Sequence, residues 1–197
     1  MGGSISLPIY GFTTGRYIAL LKFDISARIP AGTTIDSAVL SLYDHTPAAT
    51  GRTINCYRIR RGDWSAAQAT WNTYKTGSNW GTAGAFSTTT DHDTTNSVSS
   101  TSPTTAGWQS WTITAQVQSA LDSYSGIVHL RLNDPNSNQN VFNQYHASAY
   151  TTDLTLRPKL VITYTNKFKT VNGLAIASVK SKNGLLIASV KSIDGLT

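Results

Sequence analysis

The sequence contains no glutamate: all 10 of its carboxylate side chains are aspartates. Glutamate favours helices and aspartate favours turns and caps, so the acidic inventory points away from long helices. Charged residues make up only 13% of the chain, too few for a coiled coil, and apolar residues at 40% are too many for a disordered one. The single cysteine, Cys56, excludes an intramolecular disulfide. It stands in the alternating run Ile54-Asn55-Cys56-Tyr57-Arg58-Ile59 and is expected to be a buried, inert thiol. No apolar stretch approaches the roughly 20 residues of a membrane-spanning helix. Residues 1–8 lack the basic region and long apolar stretch of a secretory leader.

Catalytic motifs are equally scarce. There is no Gly-x-Ser-x-Gly elbow, no Cys–His signature and no phosphate-cradling glycine loop. Glycoside hydrolysis needs two opposed carboxylates, whereas Asp24, Asp36, Asp63, Asp122 and Asp153 are scattered over strand edges and turns. The expectation is a protein that is not an enzyme and needs no cofactor. Two stretches, Asp91-His92-Asp93 and residues 133–138, hold oxygens that could suit calcium, but neither matches an EF-hand loop.

Period-two alternation fills what remains. Strands are expected at 17–25, 37–43, 54–60, 110–113, 127–132, 140–146 and 159–165, each bounded by glycine, proline, asparagine or aspartate. Val117, Ala120 and Leu121 fall on one face of a short helix with Thr114 as its N-cap. Residues 86–107, rich in serine and threonine, read as a surface loop. Many short strands with turns between them indicate an all-β fold, a jelly-roll β-sandwich with one short helix.

The last part of the chain has another character. Residues 1–165 carry 11 Lys/Arg against 9 Asp, whereas residues 166–197 carry five lysines against Asp194. Residues 171–181 are repeated with small changes at 182–192, and a third copy begins at Ile193. Asn-Gly and Asp-Gly recur at each repeat and signal two-residue hairpin turns. The expected division is a sandwich over 1–165 and an 11-residue-repeat β extension over 166–197. A lone hairpin is marginal in water, so the extension is expected to assemble with other copies or subunits through Leu174, Ile176, Val179, Leu185, Ile187 and Val190.

The body resembles the DNRLRE-type domain, similar to modules that bind alginate-like polysaccharides. The resemblance runs through residues 16–25, Ile29-Pro30, 35–43, Tyr57-Arg58-Ile59, Asp63-Trp64-Ser65, Ala69-Thr70-Trp71-Asn72, Trp111-Thr112-Ile113-Thr114 and 157–164. The family's acidic residue after the first tryptophan is missing here, where Ser65-Ala66-Ala67-Gln68 stands. The terminal repeats resemble tails of phage structural proteins. The resemblance implies a non-catalytic sandwich used in adhesion or glycan binding.

Two functions are therefore expected. The leading one is a structural or adhesive component of a symmetric assembly, a virion decoration, fibre or tail protein, placed on a virion or an extracellular surface. The alternative is a module that binds an acidic polysaccharide such as alginate. For the latter, Lys22, Arg58, Arg60 and Arg131 would supply cations, and Trp80, Trp108 and Tyr145 ring platforms, while Trp64, Trp71 and Trp111 are expected to fill the core. Nucleic acid is not expected as a partner, because the body is nearly charge-balanced and shows no recognition module.

Overall fold

The computed structural model describes residues 6–11, 16–136, 142–165, 170–171, 174–175, 181–182 and 185–186. The strands, in chain order, are β1 (Ser6–Gly11), β2 (Arg16–Tyr17), β3 (Ala19–Asp24), β4 (Thr34–Thr46), β5 (Thr53–Ile59), β6 (Thr73–Lys75), β7 (Ser78–Asn79), β8 (His92–Thr101) and β9 (Gly107–Thr112). After helix α1 (Thr114–Ser123) come β10 (Ile127–Asn133), β11 (Phe142–His146), a 3-10 turn (Leu154–Leu156) and β12 (Lys159–Thr165). The chain divides into two compact units, Met1–Tyr164 and Thr165–Thr197.

In the first unit the strands form an antiparallel sandwich. The larger sheet runs β12–β4–β11–β1–β2, with β9 also paired to the long β4. The smaller sheet runs β3–β10–β5–β8. Alternation sends Leu40 and Leu42 of β4, Trp111 of β9 and Ile9 of β1 inward from one side. Ala19 and Leu21 of β3, Ile54 and Cys56 of β5, and Val128, Leu130 and Leu132 of β10 meet them from the other. Helix α1 adds Val117, Ala120 and Leu121 to the same core.

Polar side chains inside this core find partners in it. The Trp111 indole donates to the Ile54 carbonyl at 2.9 Å and so ties the larger sheet to the smaller. The Tyr145 hydroxyl donates to Gln109, and Asn143 donates to the buried Asp44. Burial is the main reason the Asp44 carboxyl titrates above its ordinary range. Cys56 is fully buried, and that burial pushes its thiol upward, as expected of an inert cysteine.

Three local expectations are corrected. The 86–107 segment contains the ten-residue strand β8. It is an edge strand with an exposed face of Ser and Thr, so only Val98 breaks its polarity and no alternation shows. Thr114 does not cap α1; Ile113 is the N-cap, without a side-chain bond. Thr114 Oγ1 instead accepts from Ala38 N at 3.0 Å, and Gln118 Oε1 accepts from Ile35 N at 2.8 Å, so the helix is stitched to β4. The run at 17–25 is not one strand: it breaks at Ile18 between β2 of the larger sheet and β3 of the smaller. Strand β1 was not foreseen at all.

In the second unit β13 (Thr170–Val171) pairs with β14 (Leu174–Ala175), and β15 (Ser181–Lys182) with β16 (Leu185–Leu186). Val171 lies opposite Leu174, and Lys182 opposite Leu185, the register of two-residue hairpins. Of the six assembly positions, Leu174 and Leu185 lie in these strands, while Ile176, Val179, Ile187 and Val190 lie outside the described residues.

Replacing Trp111 by Phe removes the inter-sheet hydrogen bond and opens a void. Urea unfolding should show a loss of about 2 kcal/mol. A change under 0.5 kcal/mol in either direction, the usual surface range, would mean that this bond does not join the sheets.

Candidate saccharide-binding surface

The outer face of the smaller sheet is polar, yet it is not open to solvent. His129 and Arg131 of β10 point outward beside Lys22 and Leu20 of β3, their register partners. The connection between β5 and β8, residues 60–91, folds back over them as a third layer. It carries the small hairpin of β6 and β7 and its own apolar cluster of Trp64, Trp80 and Ala85 packed on Ile59.

Hydrogen bonds fix this layer to the sheet. Trp64 Nε1 donates to His129 Nδ1 at 2.7 Å. An indole N–H can only donate, so His129 Nδ1 must be unprotonated. Burial, helped by the charges of Lys22 and Arg58, holds the His129 imidazole down to about 4. Arg131 Nε donates to the Gly84 carbonyl at 3.1 Å, and its Nη1 to Asn133 at 2.8 Å. Its guanidinium lies 4.0 Å from the centre of the Phe86 ring and 5.6 Å from that of Tyr57. At 1% exposure Arg131 is buried without a carboxylate paired to it among the described residues, and burial lowers it to about 10. Gly84 adopts φ +75°, and a Cβ there would stand 2.7 Å from the Trp71 ring, so glycine is required for the indole to lie on the loop.

Asp91 organises the rest. Fully buried, it accepts the backbone N–H groups of Gly81 (2.8 Å), Thr82 (3.0 Å) and Ser87 (3.2 Å), the Thr90 hydroxyl and Arg61 Nε. Burial alone would raise its carboxyl, but these donors outweigh burial and hold it below the ordinary range.

The upper surface of the layer is basic and aromatic. Arg16 lies 5.5 Å from the Phe86 ring centre, Arg61 4.6 Å and Lys75 5.5 Å from that of Tyr74. Trp71, tilted against Phe86 at 6.0 Å, is 41% exposed. Acidic groups here are already engaged. Asp63 pairs with Lys75, and Asp93 pairs with Arg58 and Arg60. The Thr95 N–H, together with Arg58 and Arg60, holds the Asp93 carboxyl down to about 2.

The residues singled out from the sequence fall into different places. Lys22 and Arg60 are exposed at the margins of this surface. Arg131 lies beneath it. Arg58 shares Asp93 with Arg60 but is buried, 4.4 Å from the Tyr124 ring centre. Trp80 is buried, donating to the Thr70 carbonyl, and Tyr145 is in the core. Trp108 lies on the opposite side of the sandwich, on the outer face of the larger sheet. The sequence reading missed Arg16, Lys75, Phe86 and Trp71, the last having been assigned to the core in place of Trp80. The carboxylates of both stretches considered for calcium are bound to arginines, Asp91 to Arg61, Asp93 to Arg58 and Arg60, and Asp134 to Arg52. A groove of about 480 Å³ also opens between Arg28 and Ile29 on one side and Leu160 and Ile162 on the other, but its walls are mostly aliphatic.

Two predictions follow from the layer. Asp91→Asn should cost about 3 kcal/mol in urea unfolding, because buried donors lose their acceptor; a change below 0.5 kcal/mol would contradict the role given to it. His92, His129 and His146 all titrate below their ordinary value, chiefly through burial. Their contribution to stability is complete above the unfolded value near 6.5 and is lost as pH falls towards the folded value of about 4 for His129. Melting temperature should therefore decline from pH 7 to 4.5, more shallowly in His129→Asn, whose amide oxygen can still accept from Trp64. A flat or rising profile would refute this.

Among the described residues no helix is long and apolar enough to cross a membrane. No individual curated protein matches the chain. Residues 2–164 match carbohydrate-binding module family 96, which spans the sandwich and the layer over it. The kinship with carbohydrate-binding modules that the resemblance implied is thereby shown: the chain belongs to carbohydrate-binding module family 96.

Proposed function

We propose that this protein is a non-catalytic module that holds an acidic polysaccharide across the surface of residues 60–91. One observation carries the reading: the Arg16 guanidinium stands over Phe86, against which the exposed Trp71 is tilted, and Arg61 and Lys75 stand over Tyr74 in the same layer. A pyranose ring presents C–H groups to an indole or phenol face. A uronate carboxylate adds charge-assisted bonds to arginine. Both are available here within one rigid layer, and membership of a carbohydrate-binding family supports a sugar polymer as the ligand.

Catalysis finds no support on this surface. Asp63, Asp91 and Asp93 are each paired with a cation. Asp44, whose carboxyl is raised, is fully buried in the core. Neither arrangement supplies the opposed, accessible acid pair that glycoside hydrolysis uses.

The assembly reading stands behind this one. Pairing inside the hairpins of the second unit is pairing within one chain, and it gives no reason to place the protein in a virion or a fibre.

Titration calorimetry with polyuronate and with a neutral glucan tests the proposal. Binding should favour the polyuronate, weaken with salt as exposed charges are screened, and fall about tenfold in Trp71→Ala or Arg61→Ala, the equivalent of roughly 1.4 kcal/mol. Unaltered binding in both variants, or equal affinity for the neutral polymer at all salt concentrations, would overturn it.

A further inference from the structure

We infer that the module has a second saccharide-binding surface on the opposite side of the sandwich, so that one chain can bridge two polysaccharide strands. The ligand class rests on the function proposed above; the surface rests on separate residues.

The smaller sheet is covered by residues 60–91, whereas the strands β12, β4 and β9 of the larger sheet present an outer face with Lys159, Tyr43 and Trp108 partly or fully exposed. On β9 alternation sends Gln109 and Trp111 inward and Trp108, Ser110 and Thr112 outward. Trp108 is 37% exposed. The Lys159 ammonium lies 3.6 Å from its ring centre, and Tyr43 meets it edge-on at 5.4 Å. This is the same pairing of cation and ring found over Phe86 and Tyr74, built from other strands.

The platform is held from behind. His146 stacks on Tyr150 at 3.6 Å and on Tyr43 at 5.7 Å, which fixes the phenol against which Trp108 rests. His146 is itself buried, so this support does not depend on solvent. Beside the indole, Ser41 and Ser110 share a 2.8 Å hydrogen bond on the exposed face, offering hydroxyls rather than aliphatic bulk. One indole and the exposed Val161, set among hydroxyls and a cation, do not make the contiguous apolar patch that a protein partner would use. It suits a pyranose laid on the ring, with Lys159 displaced sideways onto a carboxylate.

Calorimetry on the full chain with a purified alginate hexasaccharide is the test. Two sites per chain are expected. Trp108→Ala and Lys159→Ala should each weaken one site about tenfold or more while leaving the site at Trp71 intact, and Trp71→Ala should do the converse. Trp108 and Lys159 are exposed, so unchanged melting temperatures will show that the variants fold. One site per chain, whichever variant removes it, overturns the second surface while leaving saccharide binding in place. No binding of any uronate by the unaltered chain overturns the saccharide reading itself.

Discussion

The buried carboxylate of Asp91 is the point on which the molecule turns. By accepting three backbone N–H groups, a hydroxyl and Arg61, it closes residues 81–91 into a compact loop against the smaller sheet. The closed loop brings the Gly84 carbonyl to Arg131 and the Ala85 carbonyl to His92. These contacts bury groups that would otherwise be left to water. Arg131 is the extreme case: two rings and two acceptors replace part of the hydration of its buried guanidinium, and Nη2 is left without a hydrogen-bond partner.

The sandwich beneath needs no disulfide because its inner faces fill one continuous core and the sheets are joined by hydrogen bonds across it. That leaves the two outer faces free to differ. One is thickened by an added layer whose loops carry arginine, lysine and aromatic rings. The other sets a single indole under a lysine. In both places the chemistry is alike: a flat ring for the carbohydrate face, and a cation for acidic substituents.

Much of the fold is legible in the sequence because it follows from parity. The runs at 37–43, 127–132 and 159–165 alternate, and each lies in one strand, while the run at 17–25 supplies β3 and the end of β2. Strand β8 is not legible, since an edge strand with solvent on one face has little need of apolar residues. The candidate site is harder to read for a related reason. Parity shows that Arg131 and Lys22 share the outer face of a sheet, as they do. It cannot show that a segment dozens of residues away lies on top of one and spares the other. The same gap explains the exchange of Trp71 and Trp80. Both lie in an irregular segment, and which is buried depends on Trp80 reaching the Thr70 carbonyl while Trp71 rests on Gly84.

The central claim is that residues 60–91 form a locked layer of the fold rather than a surface loop. Native-state hydrogen exchange at the amides of Gly81, Thr82 and Ser87 measures this most directly. If Asp91 holds them as described, they exchange about as slowly as the amides of β10, opening only when the domain unfolds. Fast exchange at all three, with β10 still protected, would contradict the account.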